Sequence, residues 1–425
     1  MRWLVAVALL AACGNSSSPT EKGDKAPAAA APVRAGSAQS VAAATATTSK
    51  SNLVEGGSVK PHREEAVVDC PAKILDTLDD DAKVSALLDE ANKQIEAGVF
   101  GAAWTCADRA ADLSPTSVEA NHLRGAALAA LGRDTEAATA YALALALDPD
   151  DPETLRAVAD FYINGKGERG RDALRLGLEL AQRGSRRALA RRRRNAPLAA
   201  DLAVLEAQAL NDLGRSDEAL ERIDAALRIA PGRGDALHEK GVALFDLSRF
   251  AEAKAAFQKA LGIQPEDAYT HQMLGLTLEQ LADPGADVEL ERAVKLAPTE
   301  LTAPVLISKA DFQKEIDAVI ATLAPERRAH VKQIKVEIED LPLADDLKAV
   351  QPPFPPTILG LYRGPVGRAP APDDEPSSIV LYRKNLARAV KTRTELTEQI
   401  RDTLLHEIGH LEGLDEDDLR RRGME

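Results

Sequence analysis

The chain has 425 residues, 45% of them hydrophobic but only 3% aromatic, and 53 basic against 67 acidic side chains give a formal net charge of −14. The length allows about three domain-sized units. The acidic balance excludes a chain built overall to coat nucleic acid, and the poverty in aromatics argues against β-sandwiches and barrels. Apolar content made mostly of Ala and Leu suits closely packed helices.

From the N-terminus, Met1-Arg2-Trp3 is followed by an apolar run from Leu4 to Ala12 and then Cys13. A charged start, a short apolar core and small residues before a break read as a secretory signal. The run is too short to span a bilayer, which takes about 20 apolar residues. Leu10-Ala11-Ala12-Cys13 resembles the bacterial lipobox. That resemblance implies removal of residues 1–12, acylation of Cys13 and a lipid-anchored protein of the bacterial cell envelope. Gly14 in place of Asp leans toward the outer membrane. Of the 39 residues from 14 to 52, 28 are Ala, Ser, Thr, Pro or Gly and none is aromatic. Such a segment cannot bury enough apolar surface to offset its ordering entropy, so residues 13–65 read as a disordered tether. In an oxidising compartment Cys70 and Cys106 can form a disulfide; the alternative is two unrelated thiols.

Residues 66–300 carry an internal period. Prolines close similar segments at Pro115, Pro149, Pro231, Pro265 and Pro298, with spacings of 34, 82, 34 and 33. Small residues keep register with them. Ala103 and Ala110, Ala137 and Ala144, Ala219 and Ala226, and Ala253 and Ala260 stand 12 and 5 residues before their prolines. Gly98, Gly132 and Gly214 fall 17 before theirs, where a turn between two helices is expected. The pattern resembles the tetratricopeptide repeat, with five clear or fair units and one degenerate unit at 151–184. The resemblance implies an all-α superhelix whose extended surface binds a protein or peptide partner; the plainer reading is a spacer. Residues 183–194 hold seven arginines, including Arg191 to Arg194 in a row. They read either as a solvated insertion or as a positive patch for anionic lipid or an acidic partner. Outside the cytoplasm no nucleic-acid partner is expected.

The chemistry lies near the C-terminal end, in His406-Glu407-Ile408-Gly409-His410. On a helix His406 and His410 are one turn apart on one face and can bind one zinc ion, with Glu407 beside them as general base. Gly413 is placed to end the helix and turn the chain back. Six residues after His410 stands Glu416, the expected third ligand, with Asp415 and Asp417 as competitors. His62, His122, His238, His271 and His330 have no ligand-spaced neighbour and read as surface or packing residues.

The region 301–425 is similar to the minimal zincin-like metallopeptidase family. Ala310–Gln313 leading to Val336–Pro342, then Ile358–Gly364, and then Ile379–Leu386 carry the match with the His-Glu-His segment. The family motif runs HEIGHHFGLSD; this chain has Leu411 for its next His and Glu412 for its Phe. The resemblance implies a small α+β domain, one zinc ion and peptide-bond hydrolysis. Ile379–Tyr382 is expected to form a strand able to pair with an extended substrate. Tyr362 and Tyr382 read as packing residues, an oxyanion-stabilising hydroxyl being the alternative. The expected protein is multidomain: tether, repeat superhelix, then a zinc metallopeptidase domain whose substrate or partner the repeats recruit. The rival is a repeat scaffold lipoprotein of envelope assembly or secretion with an inactive peptidase-like domain.

Overall fold

The computed structural model describes residues 69–72, 79–165, 170–190, 195–332, 334–364 and 377–412, with 414, 419 and 421, and only the backbone of residues 6–7 and 41–42. Cys13 and the expected tether lie outside the described residues. Within them the repeat region is built of α1 (Asp80–Glu96), α2 (Phe100–Leu113), α3 (Val118–Ala130), α4 (Asp134–Leu147), α5 (Pro152–Asn164), α6 (Arg171–Ala188), α7 (Ala196–Asp212), α8 (Ser216–Ile229), α9 (Gly234–Asp246), α10 (Phe250–Ile263), α11 (Ala268–Gln280) and α12 (Ala286–Leu296).

Local chemistry sets these helices. Asp79, Ser117, Asp151, Asn195 and Asp267 each accept a backbone N–H at the start of α1, α3, α5, α7 and α11. Such a side chain satisfies one of the donors a helix leaves open at its N-terminus. All eight register alanines are buried, so the helices cross where side chains are smallest. Glycine goes further at two crossings. A Cβ on Gly125 would sit 2.6 Å from the Tyr141 ring, and one on Gly241 2.4 Å from the Phe257 ring. At the turns, Gly98, Gly132 and Gly214 are left-handed, with φ of 72°, 75° and 75°. Ser248 and Ala282 take that conformation without glycine, at φ 56° and 52°.

The structure divides into two compact units. From Asp69 onward, the first takes the described residues up to Leu213 and Glu221–Gly232; the second takes Gly214–Leu220 and the described residues from Arg233 onward. In the first unit Cys70 and Cys106 form a disulfide, with Cα atoms 4.9 Å apart, which ties the segment before α1 to α2. Both sulfurs lie in one apolar cluster with Leu87, Ala107 and Ala110. The degenerate unit is a true helix pair, with α5 against α6 and α6 against α7. Arg183 and Arg187 pair with Asp150, so part of the arginine island is neutralised within the fold; Arg191–Arg194 lie outside the described residues.

In the second unit, α9–α12 are followed by α13 (Lys309–Thr322), α14 (Pro325–Val331), β1 (Lys335–Glu339), α15 (Ala344–Leu347), β2 (Gly360–Arg363), β3 (Ser378–Tyr382), α16 (Arg383–Arg388) and α17 (Arg393–Leu411). The strands form one sheet in the order β1-β3-β2, with β1 parallel and β2 antiparallel to β3. Every side chain of β3 is buried, as a central strand covered on both faces requires. This corrects one expectation. Ile379–Tyr382 is hydrogen-bonded along both sides and cannot add a substrate strand; β2 is the edge strand on the antiparallel side.

Side chains alternate across the sheet, and the two faces enter different cores. Ile379, Leu381 and Tyr362 join Phe312, Ile316, Leu396, Ile400, Leu404 and Ile408 from α13 and α17. Val380, Tyr382 and Leu361 join Leu347, Phe354 and Ile358, together with Phe245, Phe257 and Leu274 of the repeat helices. The last repeats and the sheet therefore share one apolar core. An ionic group reinforces it: Glu279 of α11, nearly inaccessible, pairs with both Lys384 and Arg388 of α16. Among the described residues no helix is long and apolar enough to cross a membrane.

Candidate active site

The motif helix α17 begins with a capping box. Thr392 accepts the N–H of Glu395, and the Glu395 carboxylate accepts backbone N–H groups in return. Leu396, Ile400, Leu404 and Ile408 then recur every four residues and form the stripe that buries the helix on the sheet. That anchoring fixes the rotation of the helix, and with it the motif. His406, Glu407 and His410 are 2%, 2% and 3% exposed.

The two imidazoles converge. His406 Nε2 and His410 Nε2 are 2.9 Å apart, with the rings steeply inclined. His410 Nδ1 lies 3.1 Å from the Leu414 carbonyl oxygen. A carbonyl can only accept, so Nδ1 carries the proton and Nε2 keeps a lone pair, the arrangement typical of a metal-ligating histidine. Leu414 is brought there by the end of the helix, where its N–H donates to the Gly409 carbonyl at 3.0 Å. A bond reaching five residues back is the Schellman type of closure. Gly413, expected to make this turn, lies outside the described residues, as do Asp415, Glu416 and Asp417. Among the described residues no group of three His, Cys, Asp or Glu converges as a metal site. Two buried imidazoles with Nε2 atoms turned to one point suit zinc, which takes histidine nitrogen readily.

Glu407 is turned toward the sheet. Its Oε1 lies 3.2 Å from the place a Cβ would occupy on Gly360, the first residue of β2. Thr403, one turn earlier on the same helix face, sits with Cγ2 only 2.7 Å from that point. Sequence reasoning assigned Gly360 and Thr403 no role. The traces of Gly360 were its place in the family-like segment Ile358–Gly364 and a glycine inside a strand, which often marks close backbone approach. The tyrosines have separate fates. The Tyr362 hydroxyl donates to Ser377 Oγ at 3.1 Å. Tyr382 is fully buried on the opposite sheet face, and burial holds its phenol well above the usual range. Both are packing residues. His122 and His238 bond Thr154 and Thr270 at 3.0 and 2.7 Å, stitching neighbouring repeats. With His271 they stand 27 residues before Pro149, Pro265 and Pro298, a register they share within the repeats and not a metal-ligand spacing.

Comparison with known families matches residues 331–424 to the zincin-like metallopeptidase family, and residues 88–152 and 234–267 to tetratricopeptide repeats. No curated protein matched the chain. Among solved structures the chain is similar to pilF of Pseudomonas aeruginosa, at 14% identity and a TM-score of 0.44, over 56% of this chain and 99% of that one. It is similar to PilW, a widely conserved type IV pilus biogenesis factor, at 15% identity and a TM-score of 0.44, over 51% and 94%. It is also similar to YrrB, a TPR protein with an unusual peptide-binding site, at 16% identity and a TM-score of 0.34, over 45% and 93%. The chain thus carries a C-terminal zincin-like metallopeptidase domain preceded by tetratricopeptide repeats.

Proposed function

We propose that the protein is a zinc-dependent peptidase, anchored by lipid at Cys13 in a bacterial cell envelope, whose repeats recruit a protein substrate or partner. The observation that carries the reading is the pair of buried Nε2 atoms 2.9 Å apart with Glu407 buried beside them. His406 and His410 would hold the ion, with Glu416 as third ligand and Asp415 or Asp417 as its competitors. Bound there, zinc supplies Lewis acidity toward water and the scissile carbonyl. The chain supplies the proton movements. Glu407 accepts a proton from the attacking water through its carboxylate and passes it to the leaving amine. Burial of Glu407 against the edge strand keeps bulk water from competing for that proton.

Zinc analysis of the purified full chain and its Glu407→Gln variant tests this reading. One zinc per chain is expected in both, with hydrolysis of a fluorogenic peptide library lowered about 10²- to 10⁴-fold in the variant. Undiminished hydrolysis in Glu407→Gln removes the mechanism. A chain that takes up no zinc favours the scaffold reading.

A further inference from the structure

We infer that Gly360 is a positioning residue for Glu407: the side chain missing from the edge strand leaves the slot in which the general-base carboxylate rests. This rests on the peptidase reading and adds to it a residue outside the motif. A Cβ at Gly360 would lie 3.2 Å from Glu407 Oε1 and 2.7 Å from Thr403 Cγ2. The first distance is tighter than ordinary van der Waals contact, and the second demands a shift.

Neither backbone has room to give way. Gly360 pairs with Leu381 of β3, which is itself held on its other side by β1. The approach to β2 is fixed as well. Asn385 Nδ2 donates to the carbonyls of Pro356 and Ile358 at 2.9 and 2.8 Å, and the Tyr382 N–H donates to the Leu359 carbonyl at 2.9 Å. On the other side, Leu404 and Ile408 of α17 are fully buried in the core they share with the sheet. An added methyl would also lie 3.3 Å from the Val380 carbonyl oxygen of β3, which the sheet holds in place, so the crowding is absorbed by the two side chains it meets. Glu407 is the one with rotatable bonds to spare, so its carboxylate leaves the slot. His406 and His410 converge with each other, and neither supplies one of the three atoms nearest the added Cβ. Metal binding and base placement are thus separable.

The two contacts can be told apart by variants. Gly360→Ala alone clashes with Thr403 and is expected to destabilise the domain. Thr403→Ser removes the Cγ2 atom responsible and keeps the hydroxyl. The double variant Gly360→Ala/Thr403→Ser is expected to melt like wild type, bind one zinc and keep KM on the fluorogenic peptide library. Its kcat falls about 100-fold, the scale of an ångström-sized misplacement of a reacting group. Thr403→Ser alone keeps wild-type kcat, and a crystal structure of the double variant shows the Glu407 carboxylate displaced. Wild-type kcat in the double variant, or a carboxylate still in place, overturns the inference. A double variant that does not fold while Thr403→Ser does assigns Gly360 to packing alone and overturns it too. If the wild-type protein loaded with zinc cleaves no member of the library, the peptidase reading fails separately. The crystal structure then still decides where Glu407 sits.

Discussion

The repeats of the first unit and those of the second are written in one pattern but closed in different ways. In the first, the segment before α1 is stapled to α2 by Cys70–Cys106, and the helices pack on their neighbours in sequence. In the second, α9–α11 enter a core with β2, β3 and the segment holding Leu347, Phe354 and Ile358. A repeat buries its own crossing faces but leaves the outer face of a terminal unit to be covered by something else. A covalent tie serves at one end and a foreign sheet at the other. The register sets the helix crossings, not what lies on top of them.

The sharpest way to break this contrast is Phe354→Ala. The ring is fully buried in the shared core, and its loss is expected to cost about 3–5 kcal/mol. Hydrogen exchange should show amides of β3 and of α9 and α11 losing protection together. Loss confined to the sheet would mean that the repeats stand without it. Next in size is the staple. Cys70→Ser with Cys106→Ser is expected to destabilise α1 and α2 by about 2–4 kcal/mol, and a reducing agent should do the same to the wild type. An unchanged denaturant midpoint for these helices would show that helix packing alone closes that end. The smallest expected effect sharpens the contrast at the turns. The early turns use glycine where the last two use Ser248 and Ala282 at positive φ. Relieving the strained alanine with Ala282→Gly should raise stability by about 1 kcal/mol, read as a higher denaturation midpoint. A fall instead would mean that added freedom in the unfolded chain outweighs the strain.

Particular residues show where sequence reading stopped. The helix pairs were legible because Ala137, Ala144 and their counterparts recur at a fixed distance from a proline, and each proved buried. Even the degenerate unit at 151–184 kept enough helical pattern to be recognised. The turn positions were legible at Gly98, Gly132 and Gly214 but not at Ser248 and Ala282, where the backbone hydrogen bonds that close the preceding helix hold non-glycine residues in a conformation their chemistry disfavours. The strand Ile379–Tyr382 was legible as a strand. Its central position was not, because an apolar run reads alike on an edge used by a partner and between two strands.

By itself, the sequence determined the repeat register and the spacing of His406, Glu407 and His410 on one helix, because both are local periodicities. Only the tertiary structure decided the sheet order, the shared core and the seat of Glu407 against Gly360. Those depend on groups tens of residues apart. Glu407 lies 47 positions beyond Gly360 in the chain, a separation that leaves no period to read. Such contacts exist only once the folded backbone has brought a bare strand position beside a helix.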